Sequence, residues 1–205
     1  FLWGAATSAH QVEGGNMNDW SIWEKSESRI QNLESRIKNE AFQKSFPDFI
    51  LERHPSPLEK KNYISGAACD HYNRYEEDFD IAKQLGHNAH RFSIEWSRIE
   101  PEEGKFDEKE IEHYRKVINA LRARGMEPFV TLWHWTNPLW VSKKGGWENK
   151  EVILAFLKYA ERIIREYKDL VQFWMPLNEP GVFVGMSYIQ GAFPPQKRLA
   201  FFAAN

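Results

Sequence analysis

Apolar positions along this chain follow two alternating periods, which predict strands and helices in turn. Continuous apolar runs, typical of buried parallel strands, cover 1–7, 88–94 and 128–133, and a fourth run ends at Leu177. Between these runs, apolar residues recur every three or four positions, as on one face of a helix. The alternation predicts an α/β fold in which parallel strands are joined by right-handed crossovers.

Three of the predicted helices carry end signals that agree with their apolar faces. Asp70 and Gly86 bracket the first, Asp107 with Glu110 resembles a capping box for the second, and Asn149 precedes the third. The predicted inward positions are Tyr72, Tyr75, Phe79, Ala82 and Leu85 in the first helix, Ile111, Tyr114, Ile118 and Leu121 in the second, and Val152, Ile153, Phe156, Ala160, Ile163 and Tyr167 in the third.

A long connection, residues 8–69, separates the first strand from the first of these helices. Within it, the segment 27–45 spaces its apolar residues helically, which predicts a small inserted helix at the rim. Strand starts near 88, 127 and 171 are separated by the length of a βα unit.

Composition and charge narrow the classes of function. With 42% hydrophobic residues the chain can bury a core. The net charge of −2, with both signs interspersed, gives no basic footprint for nucleic acid or an anionic membrane. No apolar run reaches the length of a transmembrane helix. The single Cys69 suits a reducing compartment, so we expect a cytoplasmic protein. Phe1 is not a start methionine, and secretion with a removed signal peptide therefore stays open.

The fourth apolar run stops abruptly on Asn178, Glu179 and Pro180. A carboxylate at the mouth of a buried strand is partly desolvated, and desolvation raises its pKa towards the value that a general acid needs at neutral pH. Glu179 is therefore the candidate general acid/base. The plain alternative is that these three residues simply end a strand.

Other polar residues lie at or near the ends of the remaining strands. Gln11 follows the first, Arg91 lies within the second, and His134 and Trp135 follow the third. In a parallel barrel the carboxyl ends of the strands share one face. Gln, His and Asn178 can bind sugar hydroxyls, and Arg91 can hold a neighbouring carboxylate in its ionised form. Each residue also has a structural interpretation, as a core histidine, an ion-pair partner or a loop cap, but their arrival at one face favours a sugar site.

Nine tryptophans are present, and several stand beside polar residues at strand ends. A flat indole suits stacking against the C–H face of a sugar, although core packing is the commoner use of aromatic area. The sequence shows no Ser-His-Asp arrangement, phosphate loop or dinucleotide fingerprint. None of these signatures therefore competes with the sugar site.

Four motifs stand out along the chain: FLWGAATSAHQVEG at 1–14, RFSIEWSRI at 91–99, TLWHW at 131–135 and NEP at 178–180. Together they resemble the N-terminal half of a glycoside hydrolase family 1 β-glycosidase. The resemblance covers nearly the whole chain and implies a (β/α)8 TIM barrel that hydrolyses β-linked glucosides or galactosides with retention of configuration and without a metal or organic cofactor. Four strands are half of such a barrel, which typically needs about 250 residues, so we expect residues 1–205 to be the N-terminal half of a single barrel domain in a longer polypeptide. The implied roles are Glu179 as acid/base, Gln11, His134, Trp135 and Asn178 as ligands of the non-reducing-end sugar, and Arg91 beside the nucleophile.

The chain departs mildly from the family pattern around the histidine, at Trp133, Thr136 and Asn137, and at Gln196, where the family often has glycine. These positions touch the implied pocket wall, so they bear on specificity more than on reaction type.

The nucleophile of the family, a glutamate in a Glu-Asn-Gly motif, has no counterpart in this sequence. Glu148-Asn149 is followed by Lys150 at a predicted helix start and is not a substitute. We therefore expect the nucleophile to lie outside these 205 residues. The substrate would be a small-molecule β-glycoside or oligosaccharide, and homo-oligomerisation stays open. Three alternatives remain: a phospho-β-glycosidase, a non-catalytic sugar-binding protein, and a half-barrel that assembles with a partner chain.

Overall fold

A computed structural model gives the fold of residues 1–53 and 58–197. Its four strands are all parallel and lie side by side in sequence order, which confirms the predicted succession of βα units. Residues 198–205, included in the predicted domain, lie outside the described residues. The strands are β1 (Gly4–Ala6), β2 (Ala89–Ser93), β3 (Glu127–Trp133) and β4 (Phe173–Leu177).

Helices fill each connection between successive strands. None of the described helices is long and apolar enough to cross a membrane. Short 3₁₀ turns at Lys60–Tyr63 and Gly146–Glu148 and a π turn at Gly185–Ile189 complete the elements. The α-helices are α1 (Ala9–Val12), α2 (Asp19–Glu24), α3 (Glu27–Ile37), α4 (Glu40–Gln43), α5 (Asp48–Arg53), α6 (His71–Gln84), α7 (Trp96–Ile99), α8 (Glu108–Ala123), α9 (Leu139–Lys143), α10 (Lys150–Tyr167) and α11 (Pro180–Val184).

Helix α8 shows how the sequence pattern becomes packing. The carboxylate of Asp107 accepts hydrogen bonds from the backbone N–H groups of Lys109 and Glu110, at 2.8 and 3.4 Å, and so caps the first turn. Gly125, with φ +66°, ends the segment in a conformation that other residues adopt at a cost. All four predicted inward residues, Ile111, Tyr114, Ile118 and Leu121, are buried in the main core.

Helices α6 and α10 follow the predicted faces less closely. Asp70 precedes α6, but it does not cap the backbone as predicted; its carboxylate accepts from Nδ2 of Asn73 instead. Leu85 at the end of α6 is 69% exposed and Ile153 on α10 is 46% exposed, so their predicted burial is wrong. These helices belong to the first and last βα connections of the sheet, where fewer neighbouring elements are present to cover their flanks.

The predicted burial of the first strand is also wrong. Trp3 is 62% exposed and all of β1 is exposed, although Trp3 and Asn88 exchange hydrogen bonds that align the strand with β2. The cause is topology, because β1 and β4 are the two edges of the described sheet. Leu177 and Phe173 on β4 are exposed for the same reason. An apolar run is buried only when neighbours cover both of its faces.

The segment 27–45, predicted to form one inserted helix, contains two, α3 and α4. Asn39 separates them and caps α4 by accepting a hydrogen bond from the backbone N–H of Phe42 at 3.1 Å. Leu33 is the buried residue of α3. At the base of this inserted segment, the carboxylate of Glu24 accepts hydrogen bonds from Ser65 and lies 3.0 Å from the ring of His10. The segment is therefore tied to the first turn after β1, and its placement at the rim of a pocket stays a prediction.

Candidate active site at the carboxyl end of the sheet

Strand register decides which side chains meet at the carboxyl end of the sheet. Ser93 on β2 pairs with Thr131 on β3, Thr131 pairs with Met175 on β4, and Trp133 pairs with Leu177. The residues that follow β3 and β4 therefore leave the sheet side by side.

Arg91 joins three strands at this face. Its Nε donates a hydrogen bond to Oγ1 of Thr131 at 2.9 Å, and its Nη2 donates to Oδ1 of Asn178 at 2.6 Å. Asn178 is buried, and its backbone N–H donates to the carbonyl of Trp133 at 3.0 Å, which continues the ladder past the end of β4. The guanidinium and the amide thus form one fixed unit.

The turn after β3 packs against the same unit. Trp135 adopts a left-handed backbone conformation, with φ +76°, and its indole Nε1 donates to the backbone carbonyl of Asn178 at 2.9 Å. His134 lies beside it, with ring centroids 5.9 Å apart. Burial, and secondarily the charge of Arg91, lower the pKa of His134 to about 4. The imidazole is therefore neutral at pH 7, as a hydrogen-bonding partner for hydroxyl groups requires.

Gln11 lies after β1, at the corresponding end of the first strand. Its side chain is exposed, and its Oε1 accepts a hydrogen bond from the hydroxyl of Ser8 at 2.8 Å. The structure therefore places Gln11 at the predicted face, but its side-chain hydrogen bond is local and does not join it to Arg91 or Asn178.

Glu179 follows Asn178 directly and precedes α11. Its backbone is left-handed, with φ +43°, which turns the chain sharply from strand into helix. The residue is exposed, so the predicted desolvation of its carboxyl group is wrong for the described residues. The reason is that β4 is an edge strand, with no further strand beside it to enclose its end.

Two carboxylates that the sequence analysis left without a role support this face, Glu95 fully buried and Asp19 partly buried. Glu95 accepts hydrogen bonds from the hydroxyl of Thr136, and Asp19 accepts from the backbone and side chain of Asn137. Thr136 and Asn137, which the sequence analysis expects at the pocket wall, are buried within the turn. The sequence could have indicated both carboxylates as candidates for this face, since Glu95 follows the end of β2 by two residues and Asp19 follows Asn18, which caps α2.

Another buried carboxylate, Glu13, lies behind the site. It accepts hydrogen bonds from Nε of Arg98 at 3.0 Å and from the hydroxyl of Tyr114 at 2.6 Å. Burial raises its pKa to about 7 against these interactions, with a further contribution from the charge of Glu95. Within the described part of the chain, no set of three or more His, Cys, Asp or Glu side chains is arranged to hold a metal ion.

Comparison with known proteins agrees with this geometry. The family model of glycosyl hydrolase family 1 matches residues 1–205. Beta-glucosidase A of Thermotoga maritima is 35% identical over 202 residues, which are 97% of this chain and 40% of that protein. Beta-glucosidase A of Acetivibrio thermocellus is 36% identical over 199 residues, which are 95% of this chain and 39% of that protein.

Solved structures give the same result. A beta-glycosidase from Pyrococcus horikoshii superposes with a TM-score of 0.75 at 38% identity, over 97% of this chain and 39% of that one. A beta-glucosidase from Thermotoga maritima in complex with castanospermine superposes with a TM-score of 0.77 at 32% identity, over 97% and 40%. The fold is therefore that of a β-glycosidase barrel, represented here by its first four strands.

The chain belongs to glycosyl hydrolase family 1. It spans about 40% of the length of the relatives it matches.

Proposed function

We propose that this chain supplies the acid/base part of a retaining β-glycosidase that removes terminal non-reducing β-D-glucosyl or β-D-galactosyl residues. The observation that carries the proposal is the contact among Arg91, Asn178 and Trp135 at the carboxyl end of the sheet, with Glu179 next in the chain. Membership of a family of glycosidases supports the same reaction.

The site residues divide into sugar-binding and proton-transferring groups. Gln11, His134, Trp135 and Asn178 bind the non-reducing-end sugar. Since Oδ1 of Asn178 accepts from Arg91, the Nδ2 amide hydrogens of Asn178 remain available to donate to a sugar hydroxyl. Neutral His134 contributes a ring N–H donor and a ring nitrogen acceptor, and its Nδ1 has no partner among the described residues.

Double displacement assigns Glu179 two successive tasks. In the first step a glutamate outside this chain attacks the anomeric carbon while protonated Glu179 gives its proton to the leaving oxygen. In the second step Glu179, now a carboxylate, takes a proton from water as the water attacks the glycosyl–enzyme ester, and the nucleophile leaves as a carboxylate. Arg91 lies beside the nucleophile and favours its ionised form. The reaction requires neither metal nor organic cofactor.

The experiment is Glu179→Gln in the complete reading frame that contains this chain. Hydrolysis of cellobiose should fall by a large factor, because a poor leaving group needs its proton, whereas glycosylation by 2,4-dinitrophenyl β-D-glucoside should be much less affected. Added azide should restore turnover of the dinitrophenyl substrate and yield β-glucosyl azide. Glu148→Gln, which changes an exposed glutamate paired with Lys197, is the matched control and should behave as wild type.

Equal losses on both substrates, with no response to azide, would place the proton donor elsewhere. Binding of glucose-like inhibitors without any turnover by the wild type would favour a non-catalytic sugar-binding protein. Activity only on a 6-phosphorylated substrate would favour a phospho-β-glycosidase. Cytoplasmic localisation and self-association stay predictions, to be measured by fractionation and by sedimentation.

A further inference from the structure

The turn 134–137 holds a conformation that its own sequence does not favour. Trp135 has φ +76°, a region in which bulky residues are uncommon, and such backbone outliers persist only where the surroundings determine them. The residues that surround this turn therefore decide where His134 and Trp135 point.

Glu95 holds the turn from the side of β2. Its side chain is 1% exposed, and the hydroxyl of Thr136 lies 3.1 Å from Oε1 and 2.9 Å from Oε2. The hydroxyl of Ser97 donates to Oε1 at 2.7 Å, and the backbone N–H of Glu95 donates to the hydroxyl of Tyr114 at 3.0 Å. Ser97 thus fixes the carboxylate that Thr136 binds, and Tyr114 fixes the backbone that carries it.

Asp19 holds the turn from the side of β1, through three hydrogen bonds with one residue. Oδ1 accepts from the backbone N–H of Asn137 at 2.8 Å, Oδ2 accepts from its Nδ2 at 2.8 Å, and the backbone N–H of Asp19 donates to its carbonyl at 3.1 Å. The side-chain oxygen of Asn137 is also paired, because its Oδ1 accepts a hydrogen bond from the indole N–H of Trp133 at 3.0 Å. Asp19 also accepts from the N–H of Trp20 and the hydroxyl of Ser142.

We call the hydrogen bonds from Asp19 and Glu95 to the turn 134–137 the clamp. Its Asp19 side extends into the site through Trp20, the residue that follows Asp19. The indole of Trp20 is stacked on that of Trp135, with centroids 6.2 Å apart and 25° between the ring planes. Phe193 contacts both rings, at 5.0 and 5.7 Å. Because Trp135 bonds the carbonyl of Asn178, a shift of the clamp would move the sugar-binding residues of two strands together.

We propose that Asp19 and Glu95 are positioning residues of the sugar site, two carboxylates that hold the turn carrying His134 and Trp135. Their role in a sugar site rests on the proposed function, whereas the hydrogen bonds that hold the turn are a property of the fold. Thr136 and Asn137, two departures from the family pattern, supply the hydroxyl and amide donors to these two acceptors.

Asp19 makes the clamp sensitive to pH. The pKa of Asp19 is raised to about 6, because burial and the nearby charge of Glu95 outweigh the opposing N–H donors of Asn137 and Trp20. The hydroxyl of Tyr188 interacts electrostatically with this carboxylate, and Lys143 lines the same cleft. At pH 7 Asp19 is ionised and accepts every bond; below about pH 6 it takes up a proton and loses acceptor capacity towards Asn137.

The clamp is tested first at Thr136, in the complete reading frame with 4-nitrophenyl β-D-glucoside. Thr136→Val keeps the shape but removes the donor to Glu95, and we expect kcat/KM to fall about 10-fold to 100-fold, since small displacements of binding groups have effects of that size. Thr136→Ser keeps the hydroxyl and should recover most of the loss. Equal kcat/KM for the Val and Ser variants would overturn the role of Glu95.

The second test needs no turnover, so it separates failure of this proposal from failure of the proposed function. Stacked indoles give a near-ultraviolet circular dichroism signal, which Trp20→Phe identifies in the 205-residue chain. The wild-type signal should change with a midpoint near pH 6 while the far-ultraviolet spectrum stays constant, and Asp19→Asn should remove the transition. Glu100→Gln alters a buried carboxylate bonded to Trp96 and Gly104, away from the turn, and should keep it.

An unchanged transition in Asp19→Asn, or none in the wild type, would overturn the role of Asp19. Should Asp19→Asn not fold, Asn137→Ala removes the one side-chain hydrogen bond to Asp19, together with the bond from Trp133, and should reduce the amplitude of the transition; an unchanged amplitude would overturn the role of Asp19.

Discussion

Arg91 lies on β2 and Asn178 directly follows β4, two strands that are not neighbours, yet the guanidinium Nη2 donates to the amide Oδ1 at 2.6 Å. The arginine crosses β3 on the way and binds the hydroxyl of Thr131 at 2.9 Å. This contact orients the amide, because an oxygen and not an NH₂ group must face the guanidinium. A residue of the second strand thereby sets the hydrogen-bonding direction of the residue before Glu179.

Arg91→Lys should weaken the side-chain hydrogen bonds that link β2 to Thr131 on β3 and to Asn178 after β4. An ammonium group cannot reproduce the fork that serves Thr131 and Asn178 at once. We expect the free energy of unfolding to fall by about 1–3 kcal/mol, the usual range for a hydrogen bond with a charged partner, and KM for an aryl β-glucoside to rise. Urea denaturation measures the first effect. Arg74→Lys, at an exposed pair with Glu77, is the control and should stay within about 0.5 kcal/mol of wild type.

The sequence was sufficient for the order and direction of the strands because both follow from local patterns. Apolar runs alternate with helical periodicity, and right-handed crossovers between parallel strands allow few topologies. In α8, capping by Asp107 and burial of Ile118 and Leu121 agree with the prediction, since all the relevant contacts lie within one helix or against its own sheet.

Predictions failed where burial depends on distant elements. The pattern marks Ile153 and β1 as apolar, but it does not say whether anything lies against them. The clamps escaped sequence analysis for a similar reason: Asp19 and Asn137 are 118 positions apart, and Glu95 and Thr136 are 41 apart. No periodicity links such pairs, and only the closed packing of three loops brings them together.

A pair of substitutions on α10 tests this distinction. Ile163 is fully buried and Ile153 is 46% exposed, although the sequence predicts both to face inward. Ile163→Ala should lower the free energy of unfolding by about 2–5 kcal/mol, the usual cost of such a truncation in a core. Ile153→Ala in the same 205-residue chain should cost less than about 0.5 kcal/mol. Denaturation of both variants under one condition gives the comparison, and similar losses would show that Ile153 is covered.

Glu13 should make stability fall as pH rises. Its pKa in the folded chain is about 7 against an ordinary value of 4.5, because burial outweighs its bonds with Arg98 and Tyr114. The folded state therefore keeps a proton that the unfolded state releases between these values, so the contribution of Glu13 is full below pH 4.5 and is lost as the pH rises through 7. The expected loss is on the order of 3 kcal/mol.

Glu13→Gln is the test, since an amide does not titrate. The buried histidines impose their own pH dependence, so the informative quantity is the difference in free energy of unfolding between wild type and variant. Relative to the variant, the wild type should become less stable between pH 5 and pH 8. A difference that stays constant over this range would mean that Glu13 is ionised throughout.

The 205-residue chain by itself should not turn over an aryl β-glucoside, whereas the complete reading frame should. Retaining hydrolysis needs a second carboxyl group about 5–5.5 Å from Glu179, and the sequence contains no Glu-Asn-Gly motif to provide it. The exposed edges β1 and β4 also leave the site open to water on the side of Glu179. Product formation from 4-nitrophenyl β-D-glucoside is the measurement, with Glu179→Gln in each form as the control for contaminating enzymes. Turnover by the short form that disappears in its Glu179→Gln variant would show that both carboxylates lie within these residues, and the assignment of the nucleophile to another part of the protein would then be wrong.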